Sequence, residues 1–395
     1  MTDVVAPLDE AGIEAAIHDA AAQKAPIVIR GAGTRSGLGR PVQAATTLTT
    51  ERLTGITLIE PSELVVAARA GTPVAEVEAA LAEKGQRLAF EPSDLRALYG
   101  TSGEPTVGGL VATNASGPRR VYAGAARDAL IGVRLTTGRG ETIRSGGRVM
   151  KNVTGYDLVK LAAGSHGTIG VVTEATFKTL PIPETETTLV LEGLDDSRAV
   201  EALCGGMGSP FEVTGAAHLP ATADAAARTL FRLENFESQV RYRAGALEAL
   251  LKPYGAASRL DRDASRTLWR QVSDAASLLG DPGHAVWRVS VAPPQAAEVV
   301  ARLGSLVAAH LYDWSGGLIW VAVAPGDDAG SARLRPIVAA ARGHATLVRA
   351  SDAIRAAIDV FEPQPAALAR LTREVTAAFD PAGVLNPGRM HALRT

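Results

Sequence analysis

The sequence has almost no cysteine, few aromatic residues and no excess of charge of either sign. Its one cysteine, Cys204, has no partner for an internal disulfide, and an iron–sulfur cluster usually needs four thiolates. Aromatic residues make up 4% of the 395 residues, too few to predict a surface for base stacking. The 40 basic and 42 acidic side chains give a net charge of -2, so we expect no nucleic-acid partner.

Long apolar runs are also absent. No stretch approaches the ~20 apolar residues that span a bilayer. The segment MTDVVAPLDEAG has acidic residues where a signal peptide would be basic. We therefore expect a cytoplasmic protein, whose contact with the inner face of the membrane would be made through partner proteins only.

The length predicts two domains rather than one compact core. In the first part, EAGIEAAIHDAAAQK places Ile13, Ile17 and Ala20 on one helical face. A second helix is predicted with Thr72 as its N-cap, Pro73 at its first position and Gly85 past its end. A hairpin is predicted in DALIGVRLTTGRGETIRSG, and further strands are predicted at residues 27–30, 46–50, 56–60 and 64–70.

Two prolines between residues 181 and 186 mark the predicted domain boundary. Beyond them, strands alternate with helical patterns, and HLYDWSGGLIWVAVA predicts a second hairpin. Helices are predicted near residues 236–252, 294–308, 327–342 and 365–379.

The loop PIVIRGAGTRSGLGRP, residues 26–41, is suited to binding a phosphate. It fits the G-x-G-x-x-G dinucleotide fingerprint poorly, because Ser36 occupies the third glycine position. Pro41 and the threonines after it exclude the helix that the fingerprint requires. Glycines can instead turn successive amides inward as an anion nest, with Thr34 and Ser36 as hydroxyl donors. A tight surface turn is the alternative for this loop considered alone.

Two more stretches combine glycines with hydroxyl residues: PTVGGLVATNASGPRR (105–120) and MKNVTGYDLVKLAAGSHGTIGVVTE (150–174). With the first loop they resemble, in order and over residues 25–182, the FAD-binding domain of the vanillyl-alcohol oxidase/p-cresol methylhydroxylase (PCMH) family. Within this family, NASGPRRVYAGAARDALIGVRL and FDPAGVLNPGRM are most similar to the FAD-binding subunits of bacterial glycolate oxidases.

The resemblance implies noncovalently bound FAD. The implied pyrophosphate contacts are Gly31, Ala32, Gly33, Thr34, Arg35 and Ser36. Contacts to the phosphates and the isoalloxazine side are implied for Thr106, Val107, Gly108, Gly109, Thr113, Asn114, Ala115, Ser116 and Gly117. Backbone contacts are implied for Gly167, Thr168, Ile169, Gly170, Val171 and Val172. Asn386 belongs to a terminal segment that in this family folds back onto the flavin domain. The alternative interpretation of Asn386 is that it only ends a helix and begins a turn.

Catalytic residues are harder to assign. Related 2-hydroxy acid dehydrogenases carry an H-x-G-D-G-N-x-H motif that holds a divalent ion, but here His310 and Asp313 are followed by no second histidine, so we predict no metal. Arg288 and Arg349, on predicted strands, are candidates for binding a carboxylate. Tyr156 is a further candidate near the flavin loop. The alternative for each is a solvated or salt-bridged residue, and the catalytic base stays unassigned.

The sequence thus predicts an α+β fold: a two-subdomain PCMH-type FAD-binding domain (1–182), an α+β cap domain with a mostly antiparallel sheet (183–375) and a tail returning to the FAD domain (376–395). The resemblance implies a flavin subunit of a complex that oxidises glycolate to glyoxylate. Its implied partners are a second FAD subunit and an iron–sulfur subunit. A supporting or electron-relay role is favoured, and the alternative is a self-sufficient FAD-dependent dehydrogenase of 2-hydroxy acids such as D-lactate.

Overall fold

The computed structural model describes residues 3–147 and 156–393. The strands are β1 (Asp3–Val5), β2 (Ile27–Arg30), β3 (Thr46–Thr49), β4 (Ile56–Glu60), β5 (Val65–Arg69), β6 (Gln86–Leu88), β7 (Leu130–Thr136), β8 (Thr142–Gly146), β9 (Val171–Pro181), β10 (Thr185–Glu192), β11 (Gly215–Leu219), β12 (Arg228–Asn235), β13 (Ala257–Leu260), β14 (Ala285–Ser290), β15 (Val307–Asp313), β16 (Leu318–Val323) and β17 (His344–Arg349).

The helices are α1 (Glu10–Gln23), α2 (Val74–Ala82), α3 (Arg96–Tyr99), α4 (Val107–Thr113), α5 (Arg120–Ala123), α6 (Ala126–Ala129), α7 (Leu158–Ala162), α8 (Asp196–Met207), α9 (Glu237–Leu251), α10 (Arg262–Ser273), α11 (Ala296–Leu303), α12 (Ser331–Ala340), α13 (Asp352–Ala357) and α14 (Ala366–Phe379). Within the described ranges, none of them is both long enough and apolar enough to cross a membrane.

The N-terminal part contains two sheets that share one core. A small parallel sheet has the strand order β1-β3-β2, and α1 adds its apolar face to the same core. That face is the predicted one, with Ile13, Ile17 and Ala20 buried. The helix begins after Asp9, whose carboxylate accepts the amide of Gly12 at 2.9 Å and so caps the first turn.

The second sheet of this part is antiparallel and has β9 near its centre. Its order is β4-β5-β9-β7-β8, with β6 also paired to β9. The predicted hairpin is confirmed as β7–β8. The start of α2 differs from the prediction, because the Thr72 hydroxyl accepts the amide of Gly55 at 2.9 Å instead of capping the helix. Pro73 takes the N-cap position and makes no side-chain cap.

The C-terminal part is built on an eight-stranded sheet of order β13-β10-β12-β11-β15-β16-β14-β17, in which every described pair is antiparallel. Helices α8, α11 and α12 cover the face that carries Trp287 and Tyr312. On the opposite face, Val286 and Leu311 pack against Leu98 of the N-terminal part. The predicted α+β class with a mostly antiparallel second sheet is therefore confirmed.

The end of the chain returns to the first sheet. Leu385 pairs with Ile27 of β2 in a parallel bridge, and the amide of Asn386 donates to the carbonyl of Ile27 at 3.0 Å. The change of sheet between Pro181 and Thr185 falls at the predicted boundary. The division into domains at residues 182 and 375 stays a prediction.

Candidate functional site

A cleft opens between β2, the N-terminal end of α4 and the segment before β9. Fifteen of the residues predicted to bind the cofactor line it: Gly31, Ala32, Gly33, Thr34, Arg35, Ser36, Thr106, Gly108, Gly109, Thr113, Gly167, Gly170, Val171, Val172 and Asn386. The structure therefore brings the three glycine–hydroxyl loops and the terminal segment together around a single cleft.

The loop after β2 presents its backbone to this cleft. Within the described residues, the amides of 32–35 donate to no protein acceptor, whereas the amide of Ser36 closes a turn onto the carbonyl of Gly33 at 3.1 Å. Gly33 has φ +76°, a left-handed conformation that glycine adopts without strain. A Cβ on Gly31 would lie 2.2 Å from the Thr106 hydroxyl. The backbone of the loop therefore packs directly against the side chain of Thr106, with no room for a side chain at residue 31. Consecutive unpaired amides of this kind can bind an anion.

Helix α4 fixes the opposite wall of the cleft. It begins after Thr106, whose hydroxyl accepts the amide of Gly109 at 3.3 Å. The amide of Gly108 donates to the carbonyl of Ala70 at 2.8 Å, which joins the start of the helix to the residue after β5. The helix ends after Thr113, whose hydroxyl donates to the carbonyl of Gly109 at 2.8 Å.

Asn386 joins three segments at the base of the cleft. Its side-chain oxygen accepts the amide of Ile29 at 2.9 Å, and its side-chain nitrogen donates to the carbonyl of His166 at 2.8 Å. Its own backbone is left-handed, with φ +44°, and the residue is 2% exposed. Asn386 therefore positions the loops around the cleft through hydrogen bonds that a simple helix stop would not make.

The cleft is electropositive. Arg30, Arg35 and Arg389 line it, and no carboxylate does so among the described residues. Burial lowers the pKa of the Arg35 guanidinium, and burial together with nearby Arg355 lowers the pKa of Arg389 to about 10. Burial also lowers the pKa of His166 to about 3, so this lining histidine is neutral at physiological pH. A pyrophosphate would supply the negative charge that the lining residues lack.

Seven of the predicted cofactor residues do not line the cleft: Val107, Asn114, Ala115, Ser116, Gly117, Thr168 and Ile169. Val107, Ala115 and Ile169 belong to the apolar core. The Asn114 side chain accepts the amide of Arg127, and the Ser116 hydroxyl accepts the amide of Ala126, each at 2.9 Å. The Thr168 hydroxyl donates to the carbonyl of Ser165, and the Gly117 carbonyl accepts from Trp314. Their contact with a cofactor stays a prediction.

Sequence reasoning misses six other lining residues: Val28, Ile29, Thr47, Thr50, Ala112 and Arg389. A signal for Arg389 was available, since it lies three residues after Asn386 in the motif NPGRM. The β2 and β3 side chains face the cleft through the pleat of two short strands, and nothing in their sequence distinguishes this face from the other one.

The four catalytic candidates occupy different places. Tyr156 is 90% exposed and does not line the cleft. Arg349 is committed to backbone carbonyls, since it donates to those of His284 at 3.0 Å and Asp281 at 2.8 Å. Arg288 lies on β14, on the sheet face that packs against the N-terminal part, and has no hydrogen-bond acceptor among the described residues.

His310 belongs to a polar cluster on the helix-covered side of the C-terminal sheet. Its ring nitrogen Nε2 lies 2.8 Å from an oxygen of Asp196, which also accepts the hydroxyl of Tyr312 at 2.9 Å. Burial opposes ionisation of Asp196, but the nearby ring of His218, 3.5 Å away, and the hydrogen bond from His310 outweigh this effect and lower its pKa. Within residues 3–147 and 156–393, no group of three or more ligating side chains is arranged to hold a metal ion.

Comparison with known proteins agrees with the cleft. Residues 2–146 match the model of a family described as FAD binding domain. Glycolate oxidase subunit GlcE of Escherichia coli is 35% identical over 95% of each chain. Glycolate oxidase subunit GlcD of Bacillus subtilis is 33% identical over 47% of this chain and 38% of its own length. The solved structure of alkyldihydroxyacetonephosphate synthase has a TM-score of 0.71 at 16% identity, covering 97% of this chain and 76% of that chain, and shows a shared fold.

Proposed function

The chain belongs to the family of the glycolate oxidase subunit GlcE, and from this premise we propose that it is the FAD-binding subunit of a glycolate oxidase complex. The observation that carries the proposal is the 35% identity to GlcE, which extends over 95% of both chains and so includes the C-terminal sheet as well as the FAD binding domain. The predicted FAD cofactor agrees with the family match of residues 2–146.

The cleft supplies what FAD needs. The unpaired amides of residues 32–35 and the guanidinium groups of Arg35 and Arg389 would hold the pyrophosphate. Ile29, Ala112 and Val172 offer apolar surface to the rings. When bound, FAD accepts the two electrons that leave a 2-hydroxy acid on oxidation to the 2-oxo acid. The side chain of Asn386 donates to the backbone carbonyl of His166 and keeps the surrounding loops in place.

We propose a supporting or electron-relay role for this flavin. Glycolate loses two electrons and two protons in becoming glyoxylate, and the electrons must pass to a further acceptor. With Cys204 as its one cysteine, this chain cannot supply a cysteine-ligated cluster, so an iron–sulfur subunit would be a partner, together with a second FAD subunit. The complex would be cytoplasmic, and partner subunits would provide contact with the membrane.

Two observations bear on whether this chain also oxidises the acid. His310, the histidine in the position of the relatives' metal motif, is hydrogen-bonded to Asp196 on the sheet face that points away from the N-terminal part, which favours the relay. The second candidate function is a self-sufficient dehydrogenase of 2-hydroxy acids. It is favoured by Arg288, whose charge is unpaired among the described residues and faces the N-terminal part.

The test is flavin reduction in the isolated chain and in the complex purified with its native partners. We expect the isolated chain to be yellow and to release FAD on heating or in acid. Anaerobic glycolate should bleach its flavin far more slowly than in the complex, since positioned proton transfer is worth roughly 10²–10⁴ in rate. A colourless chain that FAD cannot reconstitute would refute the proposed function. Equally fast bleaching by glycolate or D-lactate in the isolated chain would support the second candidate.

A further inference from the structure

Arg288 lies where the two parts of the molecule meet. It is on the same face of β14 as Val286, which packs against Leu95 and Leu98 of the N-terminal part. Its cross-strand neighbours are Trp320 on β16 and Thr346 on β17. The guanidinium therefore projects from the C-terminal sheet towards the N-terminal part rather than into the helix layer behind the sheet.

Trp314 brings a second cation to the same place. The guanidinium carbon of Arg288 lies 4.9 Å from the centre of the Trp314 ring, and that of Arg120 lies 4.7 Å from it. Arg120 comes from α5 of the N-terminal part, so the two charges come from opposite sides of the junction. The indole is fixed in turn, since its N–H donates to the carbonyl of Gly117 at 3.1 Å.

These two arginines differ from the others that stack on aromatic rings. Arg232 over Trp269 is paired with Glu91, and Arg335 over Trp287 is paired with Glu362. Arg198 over Tyr254 donates to the carbonyl of Pro253. Among the described residues, Arg120 and Arg288 alone of these stacked arginines donate to no acceptor. Stacking by itself is thus an ordinary packing feature in this protein, whereas stacking without a hydrogen-bond acceptor is not.

Burial without a hydrogen-bond acceptor lowers the pKa of both guanidinium groups. Burial, and then the charge of Arg120, lowers the pKa of Arg288 to about 10. Burial also lowers the pKa of Arg120. The carboxyl group of Asp313, which acts on Arg288 through space, compensates little, because burial raises its own pKa to about 7. An anion in contact with these guanidinium groups would reduce the cost of burying them.

A neutral donor lies beside the cations. The Tyr99 hydroxyl is buried and has no hydrogen-bond partner within the described part of the chain. Burial raises its pKa to about 12, and the charges of Arg35 and Arg288 act on it in the opposite direction. The hydroxyl therefore keeps its proton and can donate it to an acceptor. The Tyr99 ring packs against Gly37 of the loop that lines the FAD cleft, which connects this group to the cofactor site.

We propose that Arg120, Arg288 and Tyr99 bind the carboxylate group of a small 2-hydroxy acid, with Trp314 holding the two guanidinium groups in place. The identity of the acid rests on the proposed function. The carboxylate class rests on the donors: guanidinium groups and a hydroxyl all donate hydrogen bonds, and a carboxylate supplies both acceptor oxygens and the missing negative charge. The site would also draw together the two parts of the chain, because Arg120 and Arg288 belong to different parts.

The test is calorimetric titration of the FAD-loaded full chain with glycolate under anaerobic conditions. Ethylene glycol, which has hydroxyl groups and no carboxylate, and inorganic phosphate serve as comparison probes. Arg288→Met and Arg120→Met keep the side-chain volume and remove one cation each from different parts of the chain. The matched control is Arg302→Met, which removes an exposed arginine on α11 behind the sheet.

We expect each of the first two substitutions to weaken glycolate binding by about ten- to hundredfold, since a charge-assisted hydrogen bond is lost. Arg302→Met should leave the dissociation constant unchanged, and ethylene glycol should not bind. The thermal midpoint of Arg288→Met should stay level or rise, because an unpaired charge is removed. A structural role for Arg288 would lower it.

Three results would overturn the inference: no glycolate binding to the FAD-loaded chain, binding that neither arginine substitution weakens, or equally tight phosphate binding with the same arginine dependence. Glycolate binding without bleaching of the flavin would support the site and leave the oxidation to a partner subunit. The proposed function fails on a different observation, a chain that takes up no FAD, so the two failures are distinguishable.

Discussion

Two groups of arginines in this protein invite comparison. Arg87, Arg119 and Arg232 lie between the two parts of the chain, and each is paired with Glu234 or Glu91. Arg30, Arg35 and Arg389 line the cleft beside β2, and none of the three forms an ion pair within the described residues. The same side chain thus serves in two electrostatic environments within one molecule.

The two groups of arginines differ in whether a carboxylate is hydrogen-bonded to them. Burial opposes the ionisation of Glu91, yet the charges of Arg119 and Arg232 outweigh it and lower its pKa to about 2, as expected for a pair that stabilises the fold. In the cleft, burial lowers the pKa of Arg35, and the charges of Tyr99, Asp94 and Asp274 oppose this effect without outweighing it. Paired arginines therefore join the two parts of the chain, whereas the cleft arginines keep their charge available for a negatively charged ligand.

The largest expected effect is the loss of the cofactor from Gly33→Val. The substitution adds a branched Cβ at φ +76° in the loop whose amides are unpaired. We expect the purified variant to contain little FAD while its C-terminal sheet remains folded. Flavin absorbance per mole of protein, together with circular dichroism, measures both.

Gly193→Val is a matched control for backbone strain. Gly193 has the same φ, +76°, lies before α8 in the C-terminal part, and has open space around its Cβ position. This variant should lose stability but keep its FAD. Normal FAD content in Gly33→Val would show that the first loop is only a turn and would remove the basis for the comparison above.

The next largest effect tests the paired group. Glu234 is 7% exposed and accepts from Arg119 at 2.9 and 3.0 Å. Glu234→Gln removes the charge that balances Arg119 and Arg87, and breaking a buried ion pair typically costs about 3–5 kcal/mol. We expect urea unfolding to show a loss in that range, with FAD content unchanged.

The control for this prediction is Glu237→Gln, whose partner Arg241 and own side chain are 72% and 64% exposed. An exposed pair contributes about 0.5 kcal/mol or less, so this variant should unfold like the wild type. Release of FAD from Glu234→Gln without loss of stability would mean that the paired arginines also serve the cofactor, and the two groups would no longer differ in role.

The next effect depends on pH and concerns Asp313, whose carboxyl group is close to Glu91 and Arg232 of the paired group. Asp313 is 2% exposed, and burial raises the pKa of its carboxyl group to about 7. The folded protein keeps this proton where the unfolded chain has already released it. Stability should therefore fall as the pH rises from about 4 to about 7, by up to about 1.4 kcal/mol per pH unit.

Asp313→Asn removes the titration and keeps an oxygen that can accept the amide of Trp314, which donates to the carboxylate at 2.7 Å. The free energy of unfolding of the variant, relative to wild type, should increase from pH 4 to pH 7 and then level off. Denaturant unfolding at several pH values measures this difference. A difference that is constant with pH would show that Asp313 ionises normally in the folded protein.

How far the sequence predicts this structure depends on the distance between the interacting residues. The face of α1, both hairpins and the first loop were predicted, because helical periodicity and glycine runs are local signals. Arg288 and Arg349 look alike in sequence, each on an apolar strand. They differ in the acceptors that other segments supply. The carbonyls of Asp281 and His284 accept hydrogen bonds from Arg349, whereas Arg288 has no acceptor among the described residues.

The same limit applies to the rest of the cleft. Asn386 forms hydrogen bonds with Ile29 and His166, 357 and 220 residues away, so its three-way contact has no local signature.

Helices α8 and α10 were not predicted, although Asp195 and Asp261 cap their first turns through side-chain oxygens. Those caps were local signals available in the sequence, whereas the meeting of Arg120 with Arg288 at Trp314 depends on the packing of the whole chain.

The smallest expected effect concerns His310, the histidine of the second hairpin. Its ring is hydrogen-bonded to Asp196, and neighbouring Tyr312 belongs to the core under α8 and α11 rather than to the junction with the N-terminal part. In His310→Ala, Asp196 keeps the hydrogen bond from Tyr312 at 2.9 Å, so we expect a loss of about 1 kcal/mol in stability. Turnover of the complex should change by less than about twofold, because no atom of His310 lines the cleft. Stopped-flow flavin reduction by glycolate, with and without added divalent metal, measures this. If reduction in the isolated chain were rapid, metal-dependent and abolished by His310→Ala, the histidine would act in catalysis, and unpaired arginines would no longer be sufficient to locate the functional site.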